Sequence, residues 1–210
     1  MTARNPYPTA AAFMPDRLSL TSLRAAAQQC KGCPLHENAT QAVFGDGAAA
    51  ADVMLVGEQP GDLEDVTGAP FVGPAGKILD RALDEAGVDR RSTYVTNAVK
   101  HFKWKARGTR RIHDKPSWTE QMACRPWLEA EIAVVKPRAL VLMGATAAQS
   151  LLGKSFRVTQ SRGKPIDSDL AALVTATIHP SAVLRSDDRE EMFAGLVDDL
   201  RLVANFAGSR

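Results

Sequence analysis

Val53-Met54-Leu55-Val56-Gly57-Glu58-Gln59-Pro60-Gly61 is the stretch on which the reading of the chain turns. Four consecutive apolar residues closed by a Gly/Pro-rich turn have the length and boundary of a strand buried on both faces. Further on, Ile78, Leu79, Ala82, Leu83 and Ala86 recur at three- and four-residue spacing and give residues 75–86 one apolar helical face. Together these are a βα unit. The pattern repeats outward: strand at 94–99, helix at 117–135, strand at 139–143, helix at 145–152, strand at 173–178, and a last helix at about 189–205 with Phe193, Leu196, Val197, Leu200 and Val203 on one face. Strands alternating with helices predict a single α/β domain whose mainly parallel central sheet, of about four strands, is covered by helices on both faces. Ser117 with Glu120 three residues on predicts a helix cap, and Pro126 predicts a kink. Residues 1–17 read as a flexible tail ahead of a domain at 18–206, and 48–51 and 161–169 read as surface loops.

The formal charge of +2 is too small to attract nucleic acid by itself, so any such attraction must come from local clustering. Residues 100–116 supply it. Lys100, Lys103, Lys105, Arg107, Arg110, Arg111 and Lys115 stand there against one acid, Asp114, among His101, Phe102, Trp104 and His113. Such a stretch does not form a core. It follows a strand, and open α/β sheets place their ligand crevices at the carboxyl ends of strands. Positive charge beside aromatic faces suits a phosphate backbone and an unstacked base; a solvated basic loop is the plain alternative. No apolar run approaches the ~18 residues of a membrane span, and residues 1–15 lack the pattern of a secretory leader, so no membrane partner and a cytoplasmic location are expected.

Four places carry the residue types that chemistry needs. Gly57 to Gly61 puts Glu58 at a strand exit where glycines let a backbone approach a ligand, although such an exit also serves as a simple turn. Pro70-Phe71-Val72-Gly73-Pro74-Ala75-Gly76 offers Phe71 as a stacking surface or as a core residue stapling a helix start. Asn97 and His179-Pro180-Ser181 both follow apolar strands: an amide can read a base edge, and a neutral imidazole can donate to an oxygen that gains charge. Finally, Cys30 and Cys33 form a C-x-x-C pair that Cys124 extends to three. An odd number of cysteines in this spacing argues for metal or redox chemistry in a reducing compartment, with His101 or His36 to complete the set.

Taken together, these motifs resemble the uracil-DNA glycosylase superfamily, and within it the iron–sulfur branch that includes the family 4 enzymes and the UdgX type. The resemblance runs from about Leu20 to Asn205 and rests on Gly57 to Gly61, Pro70 to Gly76, Thr96-Asn97-Ala98-Val99-Lys100, Cys124-Arg125-Pro126-Trp127-Leu128 and His179-Pro180-Ser181. Arg110-Arg111-Ile112-His113 looks like the basic loop that marks the UdgX type. The resemblance implies a monomer that excises uracil from DNA, single strands being the easier substrate. It implies that Phe71 stacks on uracil, that Asn97, Gln59 and Gly57 bind it, and that His179 supports the leaving base. His113, oriented by Glu58, is implied to bond covalently to the abasic sugar. Lys100, Lys103, Lys105, Arg107, Arg110, Arg111 and Arg185 are implied to contact DNA. Cys30, Cys33, His101 and Cys124 are implied to hold a [4Fe–4S] cluster in a structural role; the same Cys₃His set also suits structural zinc. Leu184 with Arg185 could wedge into DNA.

Overall fold

A computed structural model of the protein describes residues 5–208. Its strands are β1 (Asp46–Gly47), β2 (Val53–Gly57), β3 (Thr93–Asn97), β4 (Trp104–Arg107), β5 (Arg110–His113), β6 (Ala139–Met143), β7 (Pro165–Ile166) and β8 (Leu173–Thr177). Six of them form one sheet in the order β1-β3-β2-β6-β8-β7. The four central strands, β3-β2-β6-β8, are the ones the apolar runs predict, and they are mutually parallel. The outer two are short antiparallel edges. β7 lies inside the segment read as a surface loop at 161–169.

Helices α1 (Leu20–Ala27), α2 (Asp62–Thr67), α3 (Pro74–Ala86), α4 (Trp118–Val135), α5 (Ala145–Leu152), α6 (Val158–Ser161), α7 (Pro180–Arg185) and α8 (Arg189–Gly208) connect and cover the strands. Because side chains alternate along a strand, each central strand serves two cores. Val53, Leu55, Val95, Val141 and Leu173 pack with Leu79 and Leu83 of α3 and Leu196 and Leu200 of α8. Met54, Val56, Tyr94, Leu140 and Leu142 pack with Leu128 of α4 and Ala147 and Ala148 of α5 on the other face. Ser117 caps α4 in a reciprocal box with Glu120, and the helix runs on through Pro126 as one element. The side chains of Trp127 and Leu128, both fully buried beside the proline, hold it there.

Two expectations need correction. The tail at 1–17 lies partly outside the described residues, but from Asn5 onward it is packed: Ala10 is fully buried and the Thr9 N–H donates to the Gly32 carbonyl at 3.1 Å. It covers a third cluster formed by Leu23, Ala27, Cys30, Cys33, Phe44, Cys124 and Trp127. The basic stretch 100–116 is also not a plain loop. Its root is core, with Lys100 and Phe102 buried, and its remainder is the β4–β5 hairpin, in which Trp104 pairs with His113.

Candidate active site

The carboxyl ends of the central strands bring the expected site residues together. Gly57 ends β2 directly beside Asn97, the last residue of β3. His179 follows β8 and caps α7, its Nδ1 accepting the Ser181 backbone N–H at 3.2 Å. A backbone N–H can only donate, so Nδ1 offers its lone pair and the proton of the neutral ring sits on Nε2. Burial, with help from Arg185 and His113, pushes His179 down to about 4, so the ring is neutral at ordinary pH. Nε2–H is therefore a fixed donor.

A methyl group on Gly57 would lie 2.4 Å from Asn97 Oδ1, 2.7 Å from Phe71 Cζ and 3.3 Å from His179 Nε2. Three side chains from three segments thus converge over one bare Cα. Asn97, which lines the pocket, has its Nδ2 buried with no hydrogen-bond partner among the described residues, an unsatisfied donor at the site. Phe71 adopts a left-handed backbone (φ 57°), and its ring stacks on His179 at 6.2 Å and 29°. Gly76 makes room for that turn, since a Cβ there would meet the Phe71 carbonyl oxygen at 1.7 Å. The cavity these residues line, of about 700 Å³, also reaches Glu58, His113, Leu184 and Arg185. An apolar ring face, an unpaired amide donor and an imidazole donor suit a flat heterocycle bearing carbonyl groups.

His113 enters from the end of β5. Its Nε2 lies 3.5 Å from Glu58 Oε1, while Glu58 Oε2 accepts a 2.5 Å hydrogen bond from Thr146 Oγ1 at the start of α5. Burial lowers the His113 pKa and Arg185 adds to this; Glu58 and Asp114 oppose it. The lowered ring is unprotonated, and so nucleophilic, near neutral pH. The hairpin that carries it is clamped. The Gln59 side chain, buried, donates to the carbonyls of Lys103 at 3.1 Å and Asp114 at 3.0 Å and accepts the Lys103 N–H at 3.0 Å. Arg111 is gripped by Asp62 and Asp65 of α2, each at 2.6 Å, and Trp104 Nε1 donates to the Asn38 carbonyl at 2.9 Å.

Residues 44–201 match the family model described as the Uracil DNA glycosylase superfamily. The chain belongs to the uracil-DNA glycosylase superfamily. It is 40% identical to the type-4 uracil-DNA glycosylase of Thermotoga maritima over 164 residues, 78% of this chain and 82% of the relative. The type-4 enzyme of Pyrobaculum aerophilum is 35% identical over 175 residues, covering 80% and 86% of the two chains. That of Sulfurisphaera tokodaii is 32% identical over 197 residues, covering 90% and 85%.

In this superfamily member the residues expected to meet DNA divide sharply. Lys100 is not available: its Nζ is buried against Glu131 Oε2 at 2.5 Å, Thr96 Oγ1 at 2.7 Å and the Asn97 carbonyl at 2.7 Å. A buried ammonium needs such partners, and this one forms part of the frame behind the pocket. Lys103 is bound to Glu120 at 2.9 Å and Arg111 to its two aspartates. Lys105 makes an exposed pair with Asp114 at 3.1 Å, and Arg185 donates to Ser181 Oγ at 3.0 Å. Arg107 and Arg110, at the exposed hairpin tip, form no ion pair among the described residues.

Cys30, Cys33 and Cys124 lie in the third core cluster and act on one another electrostatically; burial, the largest cause, pushes Cys33 up to about 11 and Cys124 up to about 12. Thiols so raised ionise only if a cation joins them. His101 is buried and lowered to about 4, chiefly by desolvation and then by His36, so it is neutral and fit to ligate. The Lys100 N–H donates to Cys124 Sγ at 3.2 Å, the kind of bond that supports a metal-bound sulfur. This donor chemistry fits a thiolate-held group, although among the described residues no three His, Cys, Asp or Glu side chains are gathered into a site for a single metal ion.

Sequence reasoning missed Thr146, Asp62, Asp65, Glu64 and Glu131. Two signals were available. Asp62, Glu64 and Asp65 cluster just past the Gly57 motif, where a basic hairpin needs counter-charges, and Glu131 interrupts the apolar face of α4 that bears Cys124, Trp127 and Leu128.

Proposed function

We propose that this protein excises uracil from DNA, preferentially from single strands, and then captures the abasic sugar covalently through His113, in the manner of the UdgX type. The observation that carries the reading is a neutral imidazole delivered to the base pocket on a clamped hairpin, with the Glu58 carboxylate 3.5 Å away. A single strand is the easier substrate because no pairing has to be broken before the nucleotide is extruded.

In the pocket, uracil stacks on Phe71 and takes a hydrogen bond from Asn97 Nδ2 on a carbonyl oxygen. Gly57 leaves space for the ring, and Gln59, its side chain committed to the hairpin root, offers the base only its backbone. As the C1′–N1 bond breaks, its electron pair stays on N1 and the charge spreads to the carbonyl oxygens. The hydrogen bond from His179 Nε2–H strengthens as that charge grows. One ring nitrogen of His113 then bonds to the cationic C1′, and the proton of the other passes to Glu58. Tethering gives the imidazole an effective concentration of about 10⁵ M or more over a free nucleophile when aligned, which favours it over water. The product is a neutral N-alkyl imidazole, a poor leaving group, so each protein molecule turns over once. Uracil departs as its anion and is protonated by solvent. Arg107, Arg110, Lys105 and Arg185 hold the flanking phosphates.

We further propose that Cys30, Cys33, Cys124 and His101 hold a [4Fe–4S] cluster that cross-links the packed N-terminal segment, the root of the hairpin and α4. Absorbance near ~400 nm with stoichiometric iron is expected; stoichiometric zinc in a colourless protein would overturn the assignment.

The deciding experiment is a denaturing gel of the protein after incubation with a labelled single-stranded oligonucleotide containing one uracil, beside a thymine control. A uracil-dependent band that survives SDS and heat, and disappears in His113→Ala, is expected. Strand breakage after alkali without a shifted band would mean that water captures the sugar and that the protein is a multi-turnover glycosylase. No uracil release at all would leave a metal-stabilised DNA-binding protein.

A further inference from the structure

We infer that Glu64 is a positioning residue of the base pocket, its buried carboxylate gathering the backbone N–H groups of Gly61, Phe71 and Gly73 and so fixing the ring of Phe71 where uracil stacks. The inference rests on the uracil-binding part of the reading above and not on covalent capture.

Glu64 occupies the third position of α2, where a glutamate usually turns back to its own N-cap and sits in solvent. Its Oε2 does accept the Gly61 N–H, at 2.7 Å. Yet the residue is only 7% exposed, lines the cavity, and forms no ion pair among the described residues. Burial accordingly raises its pKa, while the N–H groups of Gly61, Phe71 and Gly73 work against that rise by favouring the charged form. Backbone donors are the counterpart that makes a buried carboxylate tolerable here. These donors come from both walls of the pocket. Gly61 closes the segment that begins at Gly57, whereas Phe71 and Gly73 belong to the turn that leads into α3. Phe71 is one of the described non-glycine residues at positive φ, a conformation that persists only where the surroundings over-determine it. Gly76 permits the turn by leaving space, and the Glu64 carboxylate supplies the attraction that closes it. The carboxylate touches no part of the proposed substrate and acts through Phe71.

The test uses Glu64→Gln, Glu64→Asp, Phe71→Ala and the double variant Glu64→Gln/Phe71→Ala in the full-length, metal-loaded protein. Free uracil is the probe of the pocket, read by calorimetry, and a uracil-free single-stranded oligonucleotide is the probe of the remaining DNA surface. Glu64→Gln, which replaces one acceptor oxygen by a donor facing the same N–H groups, is expected to weaken uracil binding about tenfold or more, in line with the cost of small misplacements. Glu64→Asp, which keeps the charge, should fall between it and wild type. Affinity for the uracil-free oligonucleotide should hold in both, and the double variant should bind uracil no worse than Phe71→Ala. Wild-type uracil affinity in Glu64→Gln would overturn the inference, as would losses that multiply in the double variant or equal losses for both probes. If Glu64→Gln does not fold, Glu64→Asp with and without Phe71→Ala makes the same comparison. Failure of the uracil-binding reading itself would appear separately, as no uracil binding by the wild-type protein.

Discussion

Gly57 is a glycine for space. Its backbone sits in ordinary strand register beside Asn97, yet a Cβ would overlap Asn97 Oδ1 and Phe71 Cζ at once. A Cβ could be accommodated only by moving the Asn97 amide and the Phe71 ring, the groups that line the pocket, out of their places. Gly57→Ala should therefore lower single-turnover uracil release by about 10²-fold or more, as misplacement of a positioned group does; near-wild-type release would show that the three side chains are not the pocket. The two histidines make a second prediction at this scale. Both are lowered from their ordinary value, His179 to about 4 and His113 by burial. A lowered pKa keeps the neutral ring as pH falls, so the His179 Nδ1 lone pair that accepts the Ser181 N–H and orients the ring, and the nucleophilic lone pair of His113, both survive below the pH at which a free imidazole protonates. Uracil release should hold level as pH falls through about 6.5, the ordinary imidazole value, and decline only nearer 4, while adduct formation should persist below about 6.5. A half-maximal rate near 6.5 would mean that one of the rings is less desolvated than its place in the pocket implies.

The β4–β5 hairpin is the element that separates this site from a simple base pocket, and it was the least legible part of the fold. The central strands and their helices could be read because unbroken apolar runs and three-four spacing report burial directly. In the hairpin, charge masked the pattern. Trp104 to Arg107 and Arg110 to His113 flank Gly108-Thr109, a two-residue glycine connection of the sort that closes hairpins, but alternation is invisible when nearly every residue is polar. The sequence also could not tell which cations were free, since that depends on acids far along the chain: Asp62 and Asp65 for Arg111, Glu120 for Lys103 and Glu131 for Lys100. Burial of Lys100 was foreseeable only from Glu131 on an apolar helix face. Once those pairs are assigned, Arg107 and Arg110 are the hairpin cations without an ion pair among the described residues, and with Lys105 they are the ones proposed to meet phosphates. The double variant Arg107→Ala/Arg110→Ala should reduce the slope of log affinity against log salt for a single-stranded oligonucleotide by about 1.4, two contacts at about 0.7 each. Uracil release at saturating substrate should be unchanged. An unaltered slope would place the DNA path away from the hairpin tip.

Across the whole molecule, one buried network joins the sheet, the base pocket and the cysteine cluster. Glu131 of α4 accepts from Lys100 Nζ, from Tyr94 OH at 2.9 Å, from Thr96 Oγ1 at 2.9 Å and from the Gly45 N–H at 3.1 Å. The Lys100 ammonium also binds the carbonyl of Asn97, whose side chain serves the pocket, while its backbone N–H reaches Cys124. Burial first and Glu131 second push the Tyr94 phenol up, so Tyr94 remains a donor to the carboxylate. With its side chain about 1% exposed, Lys100 meets no phosphate, and its value lies in neutralising Glu131. Lys100→Met would leave that carboxylate buried and uncompensated, which costs about 3–5 kcal/mol in comparable sites. Lys100→Met/Glu131→Leu removes both charges together and should recover part of the loss; the remainder reflects Tyr94, Thr96 and Gly45 without their acceptor. Denaturation midpoints measure both terms, and the salt slope for uracil-free DNA should not move in either variant. A slope reduced in Lys100→Met with stability intact would return Lys100 to the DNA surface and refute its assignment to the frame.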